Sequence, residues 1–125
     1  AAKDVTLDLN SFTLKQSREH AAMQRFFALI ELASSPFPAN KGPADFATST
    51  TAANNVVIKN GRLGLSSHHG IHGNGNVGVT LQDLEIGDFE VAAISLNAAD
   101  DVVMKNVNVT NTRTDVPADG RLSQA

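Results

Sequence analysis

The sequence predicts an all-β fold in which short strands recur with a fixed period and stack as parallel sheets. The first observation is an internal repeat, because residues 56–63 match residues 79–86 and then residues 102–109 with a shift of 23 both times. The second is that apolar residues within each unit lie two apart and are often β-branched, as in strands with one buried face. Helical spacing does not fit these segments.

The repeat covers a whole coil of chain rather than one recurring strand. Ile71 matches Ile94 and Asn74 matches Asn97 at the same shift. A unit of this length accommodates three short strands with their turns, because a strand of about five residues spans about 17 Å. We therefore expect a triangular coil. The inward positions of the coil that starts at Val56 are predicted to be Val56, Ile58, Gly61, Leu63 and Ile71, with Asn60 at a corner.

Residues 5–14 strengthen this interpretation. They read VTLDLNSFTL, which resembles the V-x-L-D-L-N-G-x-T-L phrase in the first coil of the pectate-lyase-like superfamily, with Ser11 in place of the glycine. The resemblance covers residues 5–14 and 54–112, and it implies a right-handed parallel β-helix, a solenoid of about four such coils. That superfamily includes lyases, hydrolases, epimerases and noncatalytic spike proteins, so the resemblance is specific for fold and leaves the activity open.

The first coil departs from the period. Val5 lies 51 residues before Val56, which exceeds one repeat period by 28, and two of the extra residues precede Leu14. We therefore predict a single domain over residues 1–125, in which residues 16–53 form an insertion-rich first coil.

The insertion divides into three parts. Residues 16–25 are predicted to form a short helix, with Glu19 suited to its N-terminal dipole. Residues 26–32 are predicted to form a strand. Residues 34–53 hold three of the four prolines and are predicted to form a long surface loop, which is either functional or a tolerated insertion.

Stacking by one repeat period places equivalent side chains in columns about 4.8 Å apart. Asn60, Asp83 and Asn106 form one such column at a corner, and it resembles the asparagine ladder of the superfamily. We interpret this column as structural rather than Asp83 as a catalytic acid, since polar residues in turns usually satisfy hydrogen bonds. Arg62 is predicted to lie over Glu85 as a surface ion pair.

Three of the four histidines form a cluster, His68, His69 and His72. Ile71 is predicted to point inward, so His72 points outward, with the other two in the preceding turn on the same face. If Ile30 occupies the inward column of Ile71, Glu31 is the neighbour of His72 across one coil boundary. A carboxylate beside an imidazole is a candidate acid–base pair. The default alternative is a structural turn bonded to its own backbone, and a zinc site is disfavoured because adjacent histidines on extended chain point apart.

The resemblance also implies a location for ligand binding. Polysaccharide clefts of the superfamily commonly run along the outer face of the third sheet and the turns that enter it. The residues placed there are His68, His69, His72, Asp88 and Glu90. Arg113, one coil on from Glu90, is a further candidate. A lyase of this superfamily also needs calcium held by acidic residues, and no other cofactor or metal is expected.

The amino-acid composition limits which classes of partner the chain is expected to bind. The net charge of −3, from 10 basic and 13 acidic residues, provides no attraction for nucleic acid or an anionic membrane. The chain lacks Cys, Trp and Tyr, which excludes disulfides and removes the usual stacking platforms for sugars and bases. No apolar run approaches the roughly 20 residues of a membrane span, and the N-terminus lacks a signal-peptide pattern.

A short stack of coils exposes strand edges at each end unless they are covered. We therefore expect a segment of a longer protein, or a subunit whose ends are covered by protein partners or by self-association. The favoured function is a noncatalytic scaffold for protein assembly or glycan contact, as in the surface or virion spike proteins that the chain resembles. This function implies an extracellular, cell-surface or virion-associated location. The alternative is a polysaccharide-active lyase or hydrolase that uses His72 and Glu31.

Overall fold

A computed structural model describes residues 2–23, 27–43 and 49–111 of the chain. These residues are mostly β, with one short helix. The elements are β1 (Lys3–Asp8), β2 (Thr13–Leu14), α1 (Arg18–Ala22), β3 (Ile30–Glu31), β4 (Asn54–Ser66), β5 (His69–Asn74), β6 (Val77–Phe89), β7 (Ala92–Asn97) and β8 (Asp100–Thr110). One sheet has the order β1-β4-β6-β8, with β2 also paired to β4, and the other has the order β3-β5-β7. All strand pairs in both sheets are parallel.

The predicted repeat register is confirmed in the larger sheet. Val56 pairs with Val79, which pairs with Val102. The neighbouring apolar column consists of Ile58, Leu81 and Met104. The smaller sheet follows the same shift, since Ile71 pairs with Ile94 and Asn74 with Asn97.

Left-handed backbone recurs at equivalent places in successive strands. Residues with a positive φ form four columns. The first column is Asp4, Asn55, Gly78 and Asp101, and the second is Asn60, Asp83 and Asn106. The third is Leu65 and Asp88, and the fourth is Gly75 and Ala98. Asn and Asp adopt this conformation more readily than most residues, because their short polar side chains bond to nearby backbone. The chain therefore bends at the same points in each repeat. At Asn60, Asp83 and Asn106 each bend lies inside one long strand, β4, β6 or β8, where the sequence predicted two strands meeting at a corner.

The core lies between the two sheets and is aliphatic. Its fully buried side chains are Ile58, Leu63, Ile71, Val79, Leu81, Leu84 and Ile86. Burial falls towards the outer strands, since Met104 in β8 is 50% exposed and Leu7 in β1 is 38% exposed. The same columns are thus buried in β4 and β6 and open to solvent in β1 and β8.

The two extra residues before Leu14 are also confirmed. Thr13 pairs with Arg62 and Leu14 with Leu63, so residues 9–12 stand opposite residues 60–61. A Cβ on Gly61 would lie 2.4 Å from the Cβ of Leu9, so only glycine leaves room for the extra residues at this point.

The predicted helix is present at Arg18–Ala22. The hydroxyl of Ser17 caps its N-terminus and accepts a hydrogen bond from the backbone N–H of His20 at 3.0 Å. The strand predicted over residues 26–32 is shorter, because only Ile30–Glu31 pair with β5 as a ladder. Phe27 is instead 43% exposed. Residues 24–26 lie outside the described ranges.

The segment 33–52 leaves the sheet and returns to it, and we call it the excursion. Ala33 and Ala52 form an antiparallel bridge at its base. The backbone N–H of Ala53 donates to the carbonyl of Leu32 at 2.9 Å, so the chain leaves and rejoins the fold at one point. The sequence predicted a surface loop here, but Ser35 is 4% exposed. No helix in the described part of the chain is long and apolar enough to cross a membrane.

Candidate functional site

Glu31 and His72 are brought together by the pairing of β3 with β5. Ile30 pairs with Ile71 and Glu31 with His72, as the inward position of Ile30 predicts. Nδ1 of His72 lies 2.5 Å from Oε1 of Glu31. A carboxylate accepts a charge-assisted hydrogen bond from an imidazole at this distance when the imidazole is protonated.

The Glu31–His72 pair is more buried than the sequence predicts. The side chain of His72 is 8% exposed and that of Glu31 is 16% exposed, where an open outer face was expected. Burial raises the pKa of Glu31, because the desolvated carboxylate loses more than it gains from His72 and from the backbone of Ala28. Oε2 of Glu31 has no hydrogen-bond partner among the described residues. The pair is thus a partly desolvated acid–base couple.

The other two histidines join this pair on one face, as predicted. The rings of His69 and His72 are stacked, with centroids 5.0 Å apart and planes 16° apart. The ring of His68 lies 3.9 Å from that of His69. Burial, followed by the neighbouring His68 and His72, lowers the pKa of His69 to about 4. His69 is therefore neutral at neutral pH.

The turn that carries the histidines is fixed by its own hydrogen bonds. The hydroxyl of Ser66 donates to the carbonyl of His69 at 2.6 Å and accepts from the backbone N–H of His68 at 3.2 Å. Gln16, from the first coil, accepts a hydrogen bond from the backbone N–H of Ser67 at 2.8 Å. Contacts from the turn itself and from Gln16 thus hold this turn in place. Within residues 2–23, 27–43 and 49–111 no three His, Cys, Asp or Glu side chains converge as a metal site.

The acidic candidates lie at the end of β6 and in the turn that follows it. Asp88 lies on the larger sheet, where Oδ2 is 3.9 Å from Nη2 of Arg62. Arg62 also contacts Glu85 at 3.3 Å, as the stacking predicts. Glu90 follows β6, in a turn whose next residue donates its backbone N–H to the carbonyl of His68 at 3.0 Å. Arg113, the further candidate from the sequence, lies outside the described residues.

The asparagine column lines a shallow polar groove at the corner of the larger sheet. Nδ2 of Asn106 donates to Oδ1 of Asp83 at 2.9 Å. The polar residues that line the groove include Asn60, Arg62, Asp83, Glu85, Asn106 and Asn108. Amide, carboxylate and guanidinium groups thus face solvent along this corner.

Asn76 is a buried polar residue that the sequence analysis missed. It is 0% exposed, and its Nδ2 donates to the carbonyls of Leu32 at 2.6 Å and Ala53 at 2.7 Å. These carbonyls stand at the two ends of the excursion, so the amide holds its base closed. The sequence contained an indication of this role. The repeat aligns Asn76 with Ala53 and Ala99, so the asparagine is the one polar residue in a column of alanines.

Comparison with known proteins gave no match to any family model, to any curated protein or to any solved structure. The site is therefore characterised by its own geometry. It consists of a buried carboxylate–imidazole pair, two further histidines stacked beside it, and a separate exposed groove lined by amides and charges.

Proposed function

We propose that the chain is a right-handed parallel β-helix, similar to the pectate-lyase-like superfamily, and that it acts as a noncatalytic scaffold for protein assembly or glycan contact. The parallel pairing in both sheets, the constant repeat register and the recurring left-handed residues support this fold. The function places the protein outside the cell, on a cell surface or on a virion.

One observation carries the assembly function. The outer strands β1 and β8 expose side chains from columns that are fully buried in β4 and β6. Val5 is 40% exposed and Met104 is 50% exposed, whereas Val79 and Leu81 are 0% exposed. An outer strand with unpaired backbone and apolar side chains is a template for another strand. Covering both edges removes this surface from water, which favours association.

Glycan contact is supported by the corner groove. Sugars are bound through hydroxyl groups, which both donate and accept hydrogen bonds, and the groove offers both kinds of partner. Arg62 donates, Asp83 accepts and Asn108 does both.

The alternative function is a polysaccharide-active lyase or hydrolase, with calcium as a cofactor of the lyase. It rests on the 2.5 Å contact between Glu31 and His72 and on the raised pKa of Glu31, which suits a general acid. The low exposure of both side chains weighs against it, because a proton must reach a polysaccharide outside the fold. The scaffold is therefore preferred.

Sedimentation velocity across a wide range of protein concentrations tests the assembly function. The wild-type chain is expected to associate as its concentration rises. Met104→Lys places an inward charge on the outer strand and is expected to weaken association. Asn108→Lys adds the same charge to the outward face of β8 and serves as the matched control. A monomer at every concentration would contradict the assembly function.

A screen of acidic and neutral polysaccharides, with and without calcium, tests the alternative. The scaffold is expected to bind without cleaving any chain. Cleavage by the wild-type chain that falls roughly 100-fold or more in a folded His72→Ala variant would establish the enzyme instead.

A further inference from the structure

We propose that the partner of the outer edge of β8 is a second copy of this chain, whose β1 adds to β8 as the next parallel strand in the same register. This inference rests on the assembly function proposed above and names its partner and geometry. Within the described residues β8 pairs with β6 on one side, and β1 pairs with β4 on one side, so each strand has an outer edge.

The outer edge of β8 repeats the edge that β4 already presents to β6. Both strands bend at the same two places, since φ is 53° at Asn55 and 63° at Asn60, against 58° at Asp101 and 52° at Asn106. A parallel strand that continues the register therefore meets backbone N–H and carbonyl groups in the arrangement that β6 meets on β4. The first coil supplies both halves of that strand as β1 and β2, and the two extra residues between them then lie beside Val107, which belongs to the column of Gly61.

The apolar columns continue across this contact. Continuing the register places Val5 beside Val102, Leu7 beside Met104, and Leu14 beside Val109. All six side chains are between 36% and 51% exposed in the single chain. The contact buries them against residues of similar size, as in the interior columns.

Charges along the two edges are complementary. The same register places Lys3 beside Asp100 and Asp8 beside Lys105, and all four residues are exposed. Opposite charges directly across neighbouring strands favour pairing, and within the chain Arg62 and Glu85 are such a pair at 3.3 Å.

One like-charged pair opposes the contact. The register places Asp4 beside Asp101, and Oδ1 of Asp4 already accepts a hydrogen bond from Asn55 at 2.6 Å. Two pairs of opposite charge and three apolar pairs favour the contact, and only this one pair of like charge opposes it. The contact joins different surfaces of the two copies and continues the strand stack in one direction, so it generates open filaments.

Disulfide trapping tests this register directly, because the chain contains no cysteine. Thr6 and Val103 belong to one column, which also contains Val57 and Thr80. In neighbouring strands about 4.8 Å apart, two cysteines at these positions meet the Cα separation of a disulfide. A chain that carries both Thr6→Cys and Val103→Cys is expected to give a ladder of covalent oligomers on oxidation.

Two controls isolate the geometry. Thr6→Cys combined with Asn108→Cys places the second thiol on the same strand but out of register, and it is expected to give several-fold less ladder. Asp100→Lys, added to the Thr6→Cys and Val103→Cys chain, sets two lysines side by side and is expected to reduce the ladder. Lys3→Glu is then expected to restore it.

The outcomes separate this inference from the assembly function. An equal ladder from the out-of-register pair, or an equal dimer from Thr6→Cys alone, would overturn the head-to-tail register. A wild-type chain that associates while the in-register pair fails to cross-link would overturn the inference and leave assembly standing. A wild-type chain that stays monomeric at all concentrations would overturn both.

Discussion

The imidazole of His72 and the carboxylate of Glu31 contact each other at 2.5 Å, although 41 residues separate them in the chain. Glu31 lies in β3 and His72 in β5, so the contact joins the part of the chain outside the repeat to the repeating part. Both side chains are largely withdrawn from water. Their hydrogen bond therefore contributes to stability as well as to any proton transfer.

Glu31→Ala is expected to destabilise the fold by about 1–3 kcal/mol, because it leaves the buried imidazole of His72 without its partner. Urea unfolding followed by circular dichroism measures the change. Glu85→Ala is the matched control, since its ion pair with Arg62 is 55% exposed on the glutamate side and such pairs contribute about 0–1 kcal/mol. An unchanged free energy of unfolding in Glu31→Ala would show that the buried pair adds nothing to stability.

The fold is expected to lose stability as the pH falls below 6.5, with His69 as one cause. Its pKa is lowered from 6.5 to about 4, so within that window the unfolded chain binds more protons than the folded chain. Stability is fully retained above pH 6.5 and declines down to about pH 4. His69→Leu is expected to flatten this decline in urea unfolding at a series of pH values. Glu31, whose raised pKa acts in the opposite direction, is present in both chains.

Leu81→Asp is expected to cost several kcal/mol, because it buries an unpaired charge at a position that is 0% exposed. Met104→Asp is the matched control, since it places the same side chain in the same column at a residue that is 50% exposed. Thermal unfolding compares the two. A wild-type midpoint for Leu81→Asp would contradict the position of the core.

Asn76→Ala is expected to destabilise the fold by about 1–3 kcal/mol, because the carbonyl of Ala53 loses its buried donor. Asn97→Ala removes an asparagine whose bond to Asn74 is exposed, and a smaller loss is expected. Hydrogen exchange at the amide of Ala53, which donates to Leu32, reports on the base of the excursion. Unchanged protection there in Asn76→Ala would contradict the role of the amide.

The register was predictable from the sequence because parallel strands that repeat at a fixed spacing place similar side chains in each column. The columns of Val56 and Ile58 contain only aliphatic residues or methionine, and their constant spacing along the chain allows one alignment. The contact of Glu31 with His72 followed from the same logic, once Ile30 was aligned with Ile71.

The parts that were not predictable lie where the period is broken. The burial of His72 depends on its neighbours from residues 16–53, which do not follow the 23-residue period. The apolar run over residues 26–32 was predicted to be a strand. A short apolar run does not determine which of its residues pair with a neighbouring strand. Only Ile30 and Glu31 do so as a ladder.

The closed base of the excursion sets which changes of length this chain tolerates. Residues can be gained or lost between Ala33 and Ala52 without moving a strand, because both ends of the loop meet at one point. A single deletion within β6 would instead exchange the faces of Leu81 and Gln82 and turn every later side chain of the strand over. Related genes are therefore expected to differ in the length of the excursion and by whole repeats, and to keep the spacing inside each repeat constant.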